Sequence, residues 1–254
     1  MNKTTKIMII LIAMSFSTFA TGEEIAEGTY HNEYIGLHFP TPTGWYLAAN
    51  AEIKQGIREA IQIMGLDSPE VQSVVKQMPG KVLIMMSEYP FNNDSQDFNR
   101  NVIVAAIDVR DHRDEIRTAA DFLRFSAEGI KECLPNVVIS AVEIQNLGGV
   151  TFHKIEVKYT VQHINVRQIQ MARIANDYLV VINISAENSV GLNKLMQIAD
   201  GLRFSPVSQA VDNSITGQAF RKKASLKLSS SLGSLLKYLG IALIVFGFLS
   251  ATKR

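Results

Sequence analysis

The sequence has a single cysteine, Cys133, among 254 residues. No intramolecular disulfide can form, so the fold has to hold by packing. Excess charge is missing too: 25 Lys and Arg stand against 24 Asp and Glu, for a formal net charge of +1. No global field would gather nucleic acid or acidic substrates, and an electrostatic partner would have to be bound locally. There is no Gly-x-Ser-x-Gly elbow, no Gly-rich phosphate loop and no His-Glu-x-x-His pair. With 47% hydrophobic and 19% charged residues the chain is too apolar to be disordered and long enough to bury a core.

The two ends carry address signals. Lys3 and Lys6 precede an apolar run from Ile7 to Met14, and small residues follow up to Thr18-Phe19-Ala20. This is the pattern of a signal peptide over residues 1–20, cut after Ala20 or, second, after Gly22. No cysteine lies near that cut, which argues against a lipid anchor.

At the other end, the run from Leu232 to Thr252 is broken only by Lys237. Roughly 20 apolar residues cross a bilayer, so 232–252 reads as a transmembrane anchor if Lys237 snorkels to the interface. Arg221, Lys222, Lys223, Lys227 and Lys237 place more positive charge outside than Lys253 and Arg254 place inside, against the usual bias. A cleaved leader can fix the orientation first. The rival reading is a basic segment lying on an anionic membrane surface. Gly233, Gly240 and Gly247 share one helical face, as is common in membrane helices.

Between these ends the pattern alternates strands and helices. Gly28–Asn32 and Tyr34–Phe39 read as a hairpin, and Pro40, Pro42 and Gly44 turn the chain so that Trp45 lands on the core. Asn50 is placed to cap a helix carrying Ile53, Ile57, Ala60, Ile61 and Met64 on one face, ended by Gly65. Ser68-Pro69-Glu70 starts a second helix, stopped by Pro79.

Lys81–Tyr89 and Asn101–Val109 have nearly continuous apolar centres, as central strands do. Thr118 and Asp121 resemble a capping box for a helix that ends at Pro135. Asn136–Ile144 reads as one strand, turned by Asn146 to Gly149 into the block Val150–Phe204. That block holds three further strands and a closing helix with Leu192, Leu195, Ala199 and Leu202 on one face. Phe152 is out of phase with Ile155, Val157, Tyr159 and Val161, which suggests a bulge at His153-Lys154. Asn176-Asp177 is a tight-turn candidate. Residues 205–231, rich in Ser, Gln, Asn and Lys, read as a tether.

Tyr34-Ile35-Gly36-Leu37-His38-Phe39-Pro40, followed by Pro42 and Gly44-Trp45, is similar to the opening of PsbP-like domains. The later order of long strands and a terminal helix ending in Leu202-Arg203-Phe204 looks like that family as well, so the resemblance spans residues 28–204. It implies an α+β fold, an antiparallel β-sheet flanked by helices in an α/β/α sandwich. It also implies a domain that binds protein partners or assists their assembly, usually without catalysis. No family ligand or metal residue can be carried over.

The candidates for chemistry are few. Asp111, His112 and Asp114 could face a divalent cation, but Arg110 and Arg113 oppose it, and a solvated loop with local ion pairs is the plainer reading. Asn92 to Asp97 is oxygen-rich yet lacks the Gly and Glu of an EF-hand. Asn93-Asp94-Ser95 and Asn183-Ile184-Ser185 are formal glycosylation sequons. His31, His38, His153 and His163 fall in strands or at their ends, Met85-Met86 reads as core, and Cys133 as a small hydrophobe on a helix.

No catalytic, cofactor or metal residue is assigned on these grounds. The expectation is an exported, membrane-anchored domain on the periplasmic or other outer side of the cytoplasmic membrane, binding a protein partner and no nucleic acid. The alternative is a hydrolytic or metal-dependent enzyme whose site is assembled only in three dimensions.

Overall fold

The computed structural model describes residues 23–26, 28–49, 52, 53, 55, 81–90, 98–110, 113, 116–134, 136–161 and 164–206. The expected signal peptide, most of the two helices between Asn50 and Pro79, the tether beyond Pro206 and the segment 232–252 lie outside these residues. Among the described residues no helix is long and apolar enough to cross a membrane.

In chain order the strands are β1 (Glu23–Ala26), β2 (Thr29–Asn32), β3 (Leu37–Pro40), β4 (Tyr46–Leu47), β5 (Lys81–Ser87) and β6 (Asn101–Asp108). Helix α1 (Ala119–Cys133) follows, then β7 (Val138–Ile139), β8 (Glu143–Leu147), β9 (Val150–Val161), β10 (Ile164–Ala175) and β11 (Tyr178–Ala186). Helix α2 (Ser189–Ala199) and β12 (Arg203–Phe204) close the series.

The strands form two sheets, in which every pairing is antiparallel. A four-stranded sheet runs β1-β2-β3-β12, and an eight-stranded sheet runs β4-β5-β6-β11-β10-β9-β7 with β8 also on β9. The expected antiparallel sheet with helices is there, with a correction: a second small sheet shares the covering of the large one. The tight turn at Asn176 and Asp177 takes φ of 48° and 64°, as a two-residue hairpin requires, and Asn176 Nδ2 donates to Ile35 O at 3.0 Å, tying the turn to the small sheet.

One face of the large sheet packs against α2 and the small sheet. Its core holds Met86, Val104, Met171, Val180, Ile182 and Phe152 with Leu192, Leu195 and Ala199 of α2 and Tyr30, Leu37 and Phe39 of the small sheet. Trp45 and Phe204 pack on it partly buried, so Trp45 is a core residue as expected. The opposite face is covered by α1, whose Phe122, Leu123, Ser126 and Ile130 form one buried stripe at helical spacing. The capping box that starts α1 is complete: Asp121 N donates to Thr118 Oγ1 at 3.2 Å, and Thr118 N donates to Asp121 Oδ2 at 3.0 Å.

Coverage on both faces corrects the bulge expected at His153-Lys154. Register runs unbroken through it, with His153 opposite Ala172 and Lys154 opposite Met171. Phe152 is out of phase because it belongs to the α2-side core, whereas Ile155 and Val157 are buried on the α1 side. The register shift that does occur lies between Val82 and Ile84, in β5. Two further expectations change. The strand 136–144 is two short pieces, β7 and β8, both on β9, and Tyr34 and Ile35 sit fully buried in the β2–β3 turn instead of in a strand.

Candidate functional site

The large sheet ends in an open cleft of about 440 Å³ between the outer half of β9, the start of β10 and the first residues of α2. Val138, Tyr159 and Val166 supply its apolar surface, and Lys158, Arg167 and Glu187 its charges. The strand register explains the mixture. Tyr159 pairs with Val166 on the α1 side, while Lys158 pairs with Arg167 on the other.

Each charge is held by a neighbour. Arg167 makes a two-pronged contact with Glu156, its Nε 2.9 Å from Oε1, and Lys158 Nζ lies 3.7 Å from Glu156 Oε2. Glu187 is gripped by Arg100, whose Nε stands 3.0 Å from Oε2, and Arg100 also reaches Glu88 at 3.1 Å. Burial alone would push the Glu187 carboxyl up. The Arg100 hydrogen bonds, a backbone bond and Asn188 outweigh it and hold the group below the usual range. The same pairing raises the Arg100 guanidinium, with the Glu187 hydrogen bond as the largest cause. Tyr159 is pushed far up by burial alone, so its phenol stays protonated.

One row in from the cleft, the α1 side of the sheet carries polar side chains. Ser87, Asn101, Ser185 and Gln168 lie opposite one another across four strands, and Asn183 and Gln170 form the next row, all fully buried. Gln168 Nε2 donates to Ser185 Oγ at 2.9 Å, and Ser126 of α1 donates to Gln170 Oε1 at 2.8 Å. Sequence reading missed this seam. Its only trace is a polar residue at every second position, Gln168 and Gln170 in β10 and Asn183 and Ser185 in β11.

The candidates named from sequence fall apart in space. Asp111, His112, Asp114, His163 and the Asn92–Asp97 loop lie outside the described residues, as does the side chain of Cys133. The two arginines of that charged stretch are engaged: Arg110 grips Asp108 and lies 5.4 Å over the Tyr178 ring, and Arg113 pairs with Asp177 at 2.8 Å. Asn183, the acceptor of one sequon, is fully buried in β11, so the folded chain offers it to no enzyme. Met85 and Met86 are core, as expected. His153 is half-buried on β9, whereas His31 and His38 stand side by side, ring centroids 4.2 Å apart. No imidazole lines the cleft among the described residues, and no group of three His, Cys, Asp or Glu side chains there is placed to hold a metal.

No family model matches the chain, and no curated protein does. Solved structures give distant likenesses. Cyanobacterial PsbP (CyanoP) from Synechocystis sp. PCC 6803 is 16% identical with a TM-score of 0.43, covering 75% of this chain and 99% of that one. LpqN of Mycobacterium tuberculosis, described as involved in cell envelope biogenesis, is 13% identical with a TM-score of 0.37 over 67% of this chain and 83% of its own. A putative regulator of unknown function, PA94 from Pseudomonas aeruginosa, is 9% identical with a TM-score of 0.37, covering 51% and 85%. The PsbP-like likeness is thus a weak one of fold.

Proposed function

We propose that this chain is a non-catalytic exported domain, held at the outer side of the cytoplasmic membrane by its C-terminal apolar segment, that binds a protein partner or assists assembly. The reading is supported at its two ends by the leader-like residues 1–20 and the apolar run 232–252. The observation that carries it in the folded part is the open sheet edge formed by β7 and β8. Among the described residues no strand pairs with their outer side, and the edge bears two of the most exposed large apolar side chains, Val138 at 62% and Ile144 at 69%. An unpaired edge with apolar side chains is a surface on which an extended segment of another protein can add as a strand. The cleft beside Val138, with its fixed charges, would receive the flanking polar residues of such a segment.

The test is site-specific photocrosslinking in native membranes with the crosslinker at position 144, and at exposed Lys194 on α2 as the control. A discrete adduct from 144 and none from 194 is expected. Equal labelling from both, or none from 144, would overturn the edge as the binding surface. Alkaline carbonate extraction tests the anchor separately: retention in the membrane pellet is expected, and release refutes a spanning segment.

A further inference from the structure

We propose that His31 and His38 form a two-imidazole binding site for a divalent transition-metal ion of the zinc or copper kind on the outer face of the small sheet, with water completing the shell. This goes beyond the partner-binding reading and does not depend on it.

The hydrogen-bond register brings the two imidazoles together. Thr41 N donates to Gly28 O at 2.7 Å, which makes that pair a hydrogen-bonded one. Pairs alternate along an antiparallel ladder, so Tyr30 with Phe39 and Asn32 with Leu37 are hydrogen-bonded, while His31 with His38 is not. Non-hydrogen-bonded partners have Cα atoms only about 4.5 Å apart, the closest approach a sheet allows to two side chains. Pro40, which has no N–H to give, falls at the other such position, opposite Thr29. Tyr30, Phe39 and Leu37 point into the core, so the alternation puts both histidines on the outer face, half-buried.

Two nitrogens bound to one tetrahedral zinc ion stand about 3.3 Å apart. The ring centroids are separated by 4.2 Å at an interplanar angle of 18°, a separation comparable with that span, so a common ion would require the rings to turn out of their stack. Ser205 Oγ lies 3.0 Å from His38 Nε2. With the proton on Nε2 and donated to that hydroxyl, Nδ1 keeps its lone pair for a metal, the arrangement that orients metal-binding histidines generally.

The register partner of His38 on β12 is Arg203, a cation. Its Nη1 donates to the backbone carbonyls of Leu202 at 2.6 Å and Asp200 at 2.9 Å, so its charge is already engaged.

The test is calorimetric titration of the full chain in detergent with zinc chloride, beside His31→Gln, His38→Gln and the double variant. One saturable site is expected, weakened at least roughly tenfold by either single histidine change and abolished by the double. A site that survives the double variant, or no saturable site in the unaltered chain, overturns the proposal. Copper(II) electron paramagnetic resonance on the unaltered chain asks the same question without relying on any variant to fold: coupling to two imidazole nitrogens is expected, and coupling to none or one refutes the pair.

Discussion

Ser205 N donates to Gly36 O at 2.7 Å, and a β-carbon added at Gly36 would lie only 1.9 Å from the carbonyl oxygen of Ser205. The backbone leaving the domain is thus laid directly across the turn between β2 and β3, and it fits there because residue 36 has no side chain. Gly36 also has a φ of 68°, which side-chain-bearing residues rarely adopt. Strain and collision combine, so Gly36→Ala is expected to cost roughly 3 kcal/mol or more. Gly44 is the control. Its φ is 82° but nothing lies within 4 Å of an added β-carbon, so Gly44→Ala should cost only about 1 kcal/mol, the strain alone. Urea unfolding of both variants checks the difference, and equal losses would refute the collision.

Arg100 joins the chain after β5 to the chain after β11 through Glu88 and Glu187, all three side chains being about one-quarter exposed or less. Replacing it with glutamine leaves two partly buried carboxylates with weaker partners, at an expected cost of about 1–2 kcal/mol after allowance for solvent screening. The pH dependence follows from Glu187, whose pKa lies below its ordinary 4.5 in the folded chain. A depressed carboxyl pKa adds stability that is complete above the unfolded value and is lost as pH falls from 4.5 through the folded value. Acidification through that window should therefore destabilise the unaltered chain more than Glu187→Gln. Parallel melting temperatures for the two would refute the linkage.

Local chemistry was the part of the fold most legible in the sequence. The Thr118–Asp121 box and the Asn176–Asp177 turn each depend on residues a few positions apart, and both form as their side chains dictate. What stayed hidden depends on distant partners. Arg203–Phe204 is too short to announce itself as a strand, yet it completes the small sheet against His38 and Leu37. The phase change at Phe152 read as a bulge because periodicity reports burial without saying on which face it occurs. The pairing of His31 with His38 was invisible for the opposite reason: the hairpin was foreseen, but its register was not, and the register decides which side chains meet.

The buried polar seam makes its own prediction. Ser126 Oγ donates to Gln170 Oε1 where α1 crosses the sheet, with both side chains fully buried. Ser126→Ala takes that donor from a buried oxygen and should cost about 1–2 kcal/mol. Adding Gln170→Leu removes the oxygen as well, so the double variant should lose clearly less than the sum of the two single losses. A double-mutant cycle read by urea unfolding measures this, and simple additivity would show that the pair contributes nothing as a pair.

The Tyr46 hydroxyl donates to Glu52 Oε2, and the same oxygen accepts from Ala49 N at 2.8 Å, so one carboxylate fastens β4 to the helical residues that follow it. The hydrogen bond to Glu52, then burial, then the charge of Glu52 push the phenol from its usual 10.0 up to about 12. A raised pKa means that the folded chain holds this proton more tightly than the unfolded one. The contribution is complete below pH 10.0 and is lost as pH rises through about 12. Tyr46→Phe removes it at every pH. The gap in melting temperature between the unaltered chain and Tyr46→Phe should therefore be widest near neutral pH and shrink across that alkaline window. A gap that holds constant to the end of the window would mean that the hydroxyl contributes through something other than its bond to Glu52.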